Sequence, residues 1–203
     1  MLITNNRETM NVALRPMFKG IIDRSIKKCS RCPGLNIPNI TESAPGFGNI
    51  DSPVMFIGQS LCTACMDTQI PFTGGSGIIL DTIFGRLGLM KKDIFITNLV
   101  HCHPPNNRPS KPKEIKRCRP YLDAEIMLVN PILIVGFGND VKNAMFESHI
   151  PFNQGMRCVN GKYEGRTMIF FYHPAYYWRK GGLYSKETQQ YIDIIVDYLR
   201  GYV

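Results

Sequence analysis

A chain of 203 residues is long enough for one domain with a sizeable core, and 44% hydrophobic against 20% charged residues excludes general disorder. Lysine and arginine outnumber aspartate and glutamate by 24 to 16, a net charge of +8, which favours a polyanionic partner, nucleic acid first. No apolar run reaches the ~18 residues of a membrane span, and Met1 to Glu8 lack a basic stretch followed by an apolar one, so the expectation is an intracellular protein, a monomer by default, with one domain over 1–203.

Residues 8–28 mix apolar and basic side chains and read as a helix leading into Cys29. Residues 36–52, rich in Pro, Gly, Asn and Ser, read as an extended loop. Val54-Met55-Phe56-Ile57-Gly58 is an apolar run closed by glycine, a buried strand in form. Similar runs follow at 94–98, 132–136 and 168–172. Helical spacing lies between them: Ile79, Leu80, Ile83, Phe84 and Leu87 over 76–90, then Ile115, Tyr121, Leu122, Ile126 and Val129 over 113–129. A last helix over 185–200 has Ser185 as its N-cap and carries Tyr191, Ile194, Ile195 and Leu199. Strands alternating with helices predict an α/β fold, a parallel sheet covered on both faces. Ligands of such sheets bind beyond the carboxyl ends of the strands.

Those ends are rich in chemistry. After Gly58 come Gln59, Ser60 and Cys62, then Pro71-Phe72-Thr73-Gly74-Gly75-Ser76-Gly77. Here Phe72 is an aromatic plate among glycines, and Ser76 or Gly77 opens a helix whose N-terminus can hold a phosphate. Asn98 closes the second strand, where asparagine is disfavoured, and offers donors and an acceptor to a ligand edge. Asn107 and Arg108 follow in a proline-rich loop. His173 ends the fourth strand as a candidate electrophile or proton donor, and Arg179 and Lys180 beside aromatics suit a phosphate backbone. Each has a plainer explanation alone: core packing for Phe72, a turn for the glycines, loop bonding for Asn98, a structural role for His173.

Seven cysteines, an odd number without an export signal, argue against structural disulfides and for metal binding or chemistry. Cys29 and Cys32 form a C-x2-C pair, and 15 residues separate Cys102 from Cys118. These four suit an iron–sulfur cluster or tetrahedral zinc. A rival set, Cys29, Cys32, Cys62 and Cys65, reads as a zinc ribbon, although Cys62 and Cys65 fall in the ligand loop after the first strand. Spacing leaves both sets open.

In this order the pieces resemble the family 4, iron–sulfur, uracil-DNA glycosylases. The matching residues are the Cys29/Cys32 pair, the strand ending in Gly58, Pro71-Phe72-Thr73-Gly74, and Thr97-Asn98. Cys102 with His103-Pro104-Pro105-Asn106-Asn107-Arg108-Pro109, Cys118-Arg119-Pro120-Tyr121-Leu122, and His173-Pro174-Ala175 followed by Arg179 complete the set. The resemblance covers roughly residues 25–200. It implies a three-layer sandwich with a central four-stranded parallel sheet flanked by helices, acting on a base flipped out of DNA. It implies that Phe72 stacks on the base, that Asn98 reads its polar edge, and that His173 stabilises charge developing on its O2. The backbone at Gly58 and Gln59 would also meet the base. Ser76, Asn107, Arg108, Arg179 and Lys180 would touch DNA. A structural [4Fe–4S] cluster would be held by Cys29, Cys32, Cys102 and Cys118.

The first motif departs from the family's Gly-Glu-Ala-Pro-Gly and following acidic pair. In ungapped register Gln59 replaces Glu, Leu61 replaces Pro, Cys62 replaces Gly and Cys65-Met66 replace the acidic pair, leaving Asp67 as the loop's only carboxylate. Gln59 remains a candidate to orient water. The expected activity is hydrolysis of the N-glycosidic bond of uracil, or a related modified pyrimidine, leaving an abasic site. The alternatives are a base-binding protein of this fold that does not cleave, and a zinc-stabilised α/β protein of other function. An extra metal, a reactive thiol, a base contact or plain packing all stay open for Cys62 and Cys65, and Cys158 has no assigned role.

Overall fold

A computed structural model describes residues 12–146, 158–163 and 165–203. In chain order its elements are α1 (Arg15–Lys27), β1 (Phe47–Gly48), β2 (Val54–Ser60), α2 (Thr63–Thr68), α3 (Gly75–Arg86), β3 (Phe95–Val100), α4 (Pro112–Val129), β4 (Leu133–Phe137), α5 (Asn139–Met145), β5 (Cys158–Tyr163), β6 (Arg166–Phe171), α6 (Pro174–Gly181) and α7 (Lys186–Leu199). One sheet runs in the order β1-β3-β2-β4-β6-β5. The four central strands are parallel, as the sequence predicts. Two antiparallel edge strands, β1 and β5, extend the sheet beyond that expectation. β1 and a bridge between Ser43 and Cys102 also give structure to part of the expected 36–52 loop. The start of the expected 8–28 helix, through residue 11, lies outside the described residues.

Strand alternation explains the three layers. Val54 and Phe56 of β2, Leu133, Val135 and Phe137 of β4, and Ile169 and Phe171 of β6 face a core completed by α3, α6 and α7. Met55, Ile57, Ile134, Met168 and Phe170 face the opposite core, closed by Leu122, Ile126 and Val129 of α4 and Val141 of α5. Strands buried on both faces must be apolar throughout, which is why they read as continuous runs. Phe56 meets Phe84 edge-on at 5.2 Å and stacks with Phe137 at 5.8 Å, pairs that contribute about 0.5–1.5 kcal/mol each beyond burial.

From β2 the chain crosses by α3 on one face to β3, then by α4 on the other face to β4, which pairs with the free side of β2. This reversal makes the carboxyl end of β2 a topological switch point, where open α/β sheets bind ligands. Among the described residues no helix is long and apolar enough to cross a membrane.

Candidate active site and cysteine cavity

At the switch point Gly58 stands opposite Asn98 in the parallel register. A Cβ on Gly58 would come within 2.6 Å of both Asn98 Oδ1 and Phe72 Cζ. The glycine thus lets an amide and an aromatic ring close on one point. Phe72 adopts φ 58°, left-handed backbone that a bulky residue rarely takes. Its neighbours impose it: Lys91 Nζ donates to the Phe72 carbonyl oxygen at 2.9 Å, and a Cβ on Gly77 would reach that oxygen at 1.7 Å. Asn98 is 3% exposed, and among the described residues no partner takes its amide.

His173 caps the N-terminus of α6. Its Nδ1 accepts the Ala175 N–H at 3.1 Å, which leaves the ring proton on Nε2. Loss of hydration, aided by the charge of Arg179, holds its pKa down to about 4, so the ring is neutral near pH 7 and Nε2–H is a donor. The ring lies 20° from the plane of Phe72, with centroids 5.8 Å apart. Ser60, Cys62, Cys65, Phe72, Ser76, Asn98 and His173 line one pocket.

Other sequence candidates fall around this pocket. Gln59, half-buried, alternates to the face of β2 opposite Gly58 and Ser60 and is not among the lining residues. Asp67 lies in a separate cleft with Lys27, Glu42 and Gln69, so no carboxylate lines the pocket of Phe72, Asn98 and His173. Trp178 packs against Gly75, next to Ser76, and the exposed Arg179 and Lys180 follow it on α6. Lys180 also pairs with Glu187 at 2.7 Å. The Asn107 amide donates to Thr63 Oγ1 at 3.2 Å. Arg108, expected to contact DNA, also grips the Glu114 carboxylate with its guanidinium at 2.6 and 2.9 Å, and Glu114 accepts the Lys111 N–H. That fork holds the Glu114 carboxyl below its ordinary range and fixes the start of α4.

The expectation of no disulfide is corrected: Cys62 and Cys65 are bonded to one another. Cys62 caps α2 and Cys65 lies in its first turn, so their Cα atoms stand 5.0 Å apart, within disulfide reach. This rules out the zinc-ribbon set. The Thr73 N–H donates to Cys65 Sγ at 3.4 Å, tying the pair to the Phe72 loop. The side chain of Cys158 lies outside the described residues.

Cys29, Cys32, Cys102 and Cys118 are the free cysteines among the described residues. All four line a single cavity with Leu35, Asn36, Val100, Arg31 and Arg117. Among the described residues no group of three or more His, Cys, Asp or Glu side chains is arranged to hold one metal ion. Four cysteine sulfurs around one cavity are a donor set suited to an iron–sulfur cluster or to zinc. Burial, then the neighbouring thiolates, push the Cys102 thiol up to about 12, and burial raises Cys32.

Sequence reasoning missed a polar group beneath this cavity. Glu125 and His101 are both buried, 0% and 1% exposed, and bonded to each other. Burial alone would lower the His101 pKa, but Glu125 and Cys118 outweigh it and raise it to about 10. The signal was available: Glu125 shares the inward face of α4 with Cys118, Leu122 and Ile126, where a carboxylate must have a partner.

An open α/β sheet that gathers an aromatic plate, an unpaired amide and a neutral imidazole at its switch point defines a protein that holds a flat heterocycle with polar edges. The chain belongs to the uracil-DNA glycosylase superfamily, whose family model matches residues 45–200. It is 34% identical to the Type-4 uracil-DNA glycosylase of Pyrobaculum aerophilum over 78% of this chain and 83% of that protein. To the Type-4 enzyme of Thermotoga maritima it is 31% identical over 77% and 81%. The Type-5 uracil-DNA glycosylase of Thermus thermophilus is 26% identical over 67% and 70%.

Proposed function

We propose that this chain hydrolyses the N-glycosidic bond of uracil, or of a related modified pyrimidine, flipped out of DNA, and leaves an abasic site. The observation that carries this is the convergence of Phe72, Asn98 and the Nε2–H of His173 around the side-chain-free Gly58. A flipped pyrimidine stacks on Phe72 and pairs its polar edge with the Asn98 amide. Bond cleavage leaves an electron pair on the base, and the His173 Nε2–H, already oriented, stabilises the charge at O2. Water then adds to the sugar carbon and gives its proton to solvent. With no carboxylate in the pocket, neutral donors carry this stabilisation, and Gln59 contributes through its backbone beside Gly58.

Ser76, Arg179, Lys180 and Asn107 would contact the DNA backbone, Arg108 ordering the Asn107 loop through Glu114. Cys29, Cys32, Cys102 and Cys118 would hold a [4Fe–4S] cluster, which when bound supplies a structural crosslink between the 29–32 segment, the end of β3 and α4.

The test is incubation with an oligonucleotide carrying a single uracil, followed by alkali. Strand scission at the uracil is expected, persisting in Gln59→Ala and lost in Asn98→Ala. Tight binding to uracil-containing DNA without an abasic product would instead establish the base-binding alternative. Gly58→Ala places a methyl between Asn98 and Phe72 and is expected to raise KM by at least about tenfold, as overpacking by one methyl costs about 1–3 kcal/mol. Steady-state kinetics checks it, alongside a melting temperature that the same overpacking lowers.

A further inference from the structure

Between the cysteine cavity and the base pocket runs a buried polar chain to which the glycosylase reading gives no task. Cys118 Sγ accepts the His101 backbone N–H at 3.3 Å and lies 3.2 Å from His101 Nδ1. The other ring nitrogen, Nε2, is 3.0 Å from Glu125 Oε2. The same carboxylate oxygen accepts the Thr97 hydroxyl at 2.5 Å, and Oε1 accepts the Gly46 N–H at 2.7 Å. Thr97 precedes Asn98 on β3. The side chains of Thr97, His101 and Glu125 are all shut off from solvent.

We propose that His101 and Glu125 are positioning residues. His101 fixes Cys118 as a ligand, and Glu125, bonded to both His101 and Thr97, ties that ligand to the strand that presents Asn98. The inference rests on the cluster assignment above. A metal-bound Cys118 has no proton to give, so Nδ1–H must donate to it. The sulfur then receives two N–H bonds, which withdraw electron density from its bond to metal. The ring cannot turn away, because Glu125 holds its far nitrogen. Glu125 cannot turn either, with both oxygens engaged by Thr97, His101 and Gly46. An apolar residue at 125 would suit the surrounding Leu122, Ile126 and Val129 without the cost of burying a charge. The carboxylate is explained by what it connects.

His101→Phe keeps the ring's bulk and removes both ring bonds. In the iron-loaded protein its metal–thiolate stretching band, read by resonance Raman, is expected to shift, and chelator to strip the cluster about tenfold faster, the usual lower bound for losing a ligand's supporting partner. Thr97→Val removes the hydroxyl that bonds Glu125 Oε2 and also lies 3.2 Å from His101 Nε2, and it leaves both nitrogen contacts to Cys118 in place. Its band and stripping rate are expected to match the parent, while KM for uracil-containing DNA rises about fivefold, the scale of one buried hydrogen bond. An unshifted band and parental stripping in His101→Phe overturn the ligand-fixing role. A parental KM in both variants overturns the link to Asn98. Should His101→Phe fail to fold, Glu125→Gln, of equal shape, must show the shifted band and faster stripping, and parental values there overturn the proposal. A colourless parent protein overturns the cluster assignment itself, and the proposal with it.

Discussion

Replacing His173 with alanine is expected to slow uracil excision about 10²–10³-fold in single-turnover assays, the size found when one preorganised donor to developing charge is removed. The expectation is firm because the geometry leaves little else in the pocket to do that work. Its lining offers hydroxyls, an amide and sulfur, but no carboxylate and no other ring donor. Asn98 reads an edge that is present before and after the bond breaks, so its loss falls on binding as well as rate. His173 meets charge that appears only as the bond breaks, so its loss falls on the rate constant. A His173→Ala enzyme turning over near the parental rate would remove the histidine from the mechanism.

The pH dependence follows from the same contacts. The folded-state pKa of about 4 lies below the ordinary 6.5, so the unfolded chain takes up the proton first. The stability that His173 contributes is therefore fully present above about 6.5 and is lost as pH falls through about 4. Protonation also removes the Nδ1 lone pair that accepts the Ala175 N–H, loosening the start of α6. Excision limited by this residue should show no inflection near pH 6.5 and should decline only as pH approaches 4. A rate profile with its inflection near 6.5 would mean a solvated histidine and a different role.

What could be read from the sequence depended on whether one residue's environment was local. β2, β3, β4 and β6 were legible because a parallel strand buried on both faces has to be apolar at each position. β5, Cys-Val-Asn-Gly-Lys-Tyr, is an edge strand with polar positions, and β1 is two residues long, so neither leaves a pattern. Asn98 and His173 stand out in the sequence because a polar residue at the end of an apolar strand is unusual, and Phe72 because it is an aromatic among glycines in the loop before α3. The six-residue α2 was not, since its Cys-x-x-Cys spacing says as much about a metal as about one helical turn. The ion pair of Arg108 with Glu114, six residues on, was not legible, because the proline-rich loop between them gives no periodic spacing to pair them. The Glu125–His101 pair needed β3 and α4 in register, which no single segment encodes.

Cys118→Ser is expected to abolish the visible charge-transfer absorption of the purified protein and to lower its unfolding free energy by several kcal/mol, measured by denaturant titration. The four sulfurs come from three parts of the chain, the 29–32 segment, the residues after β3, and α4. The 29–44 segment is held by Asn36 bonds to the Lys27 and Cys29 carbonyls, by the Ser43–Cys102 bridge and by Leu35 in a small core with Val100. Removing one ligand leaves Cys102 and Cys32, whose charged forms burial disfavours, without the full ligand set. Its effect should then spread along His101 and Thr97 into β3. The double variant Cys62→Ser with Cys65→Ser is the matched control, because those sulfurs sit in the base pocket and touch the Thr73 loop. It should keep its colour and iron content while any change appears in substrate affinity. Loss of iron in that double variant, with iron retained in Cys118→Ser, would reverse the assignment of the two cysteine sets.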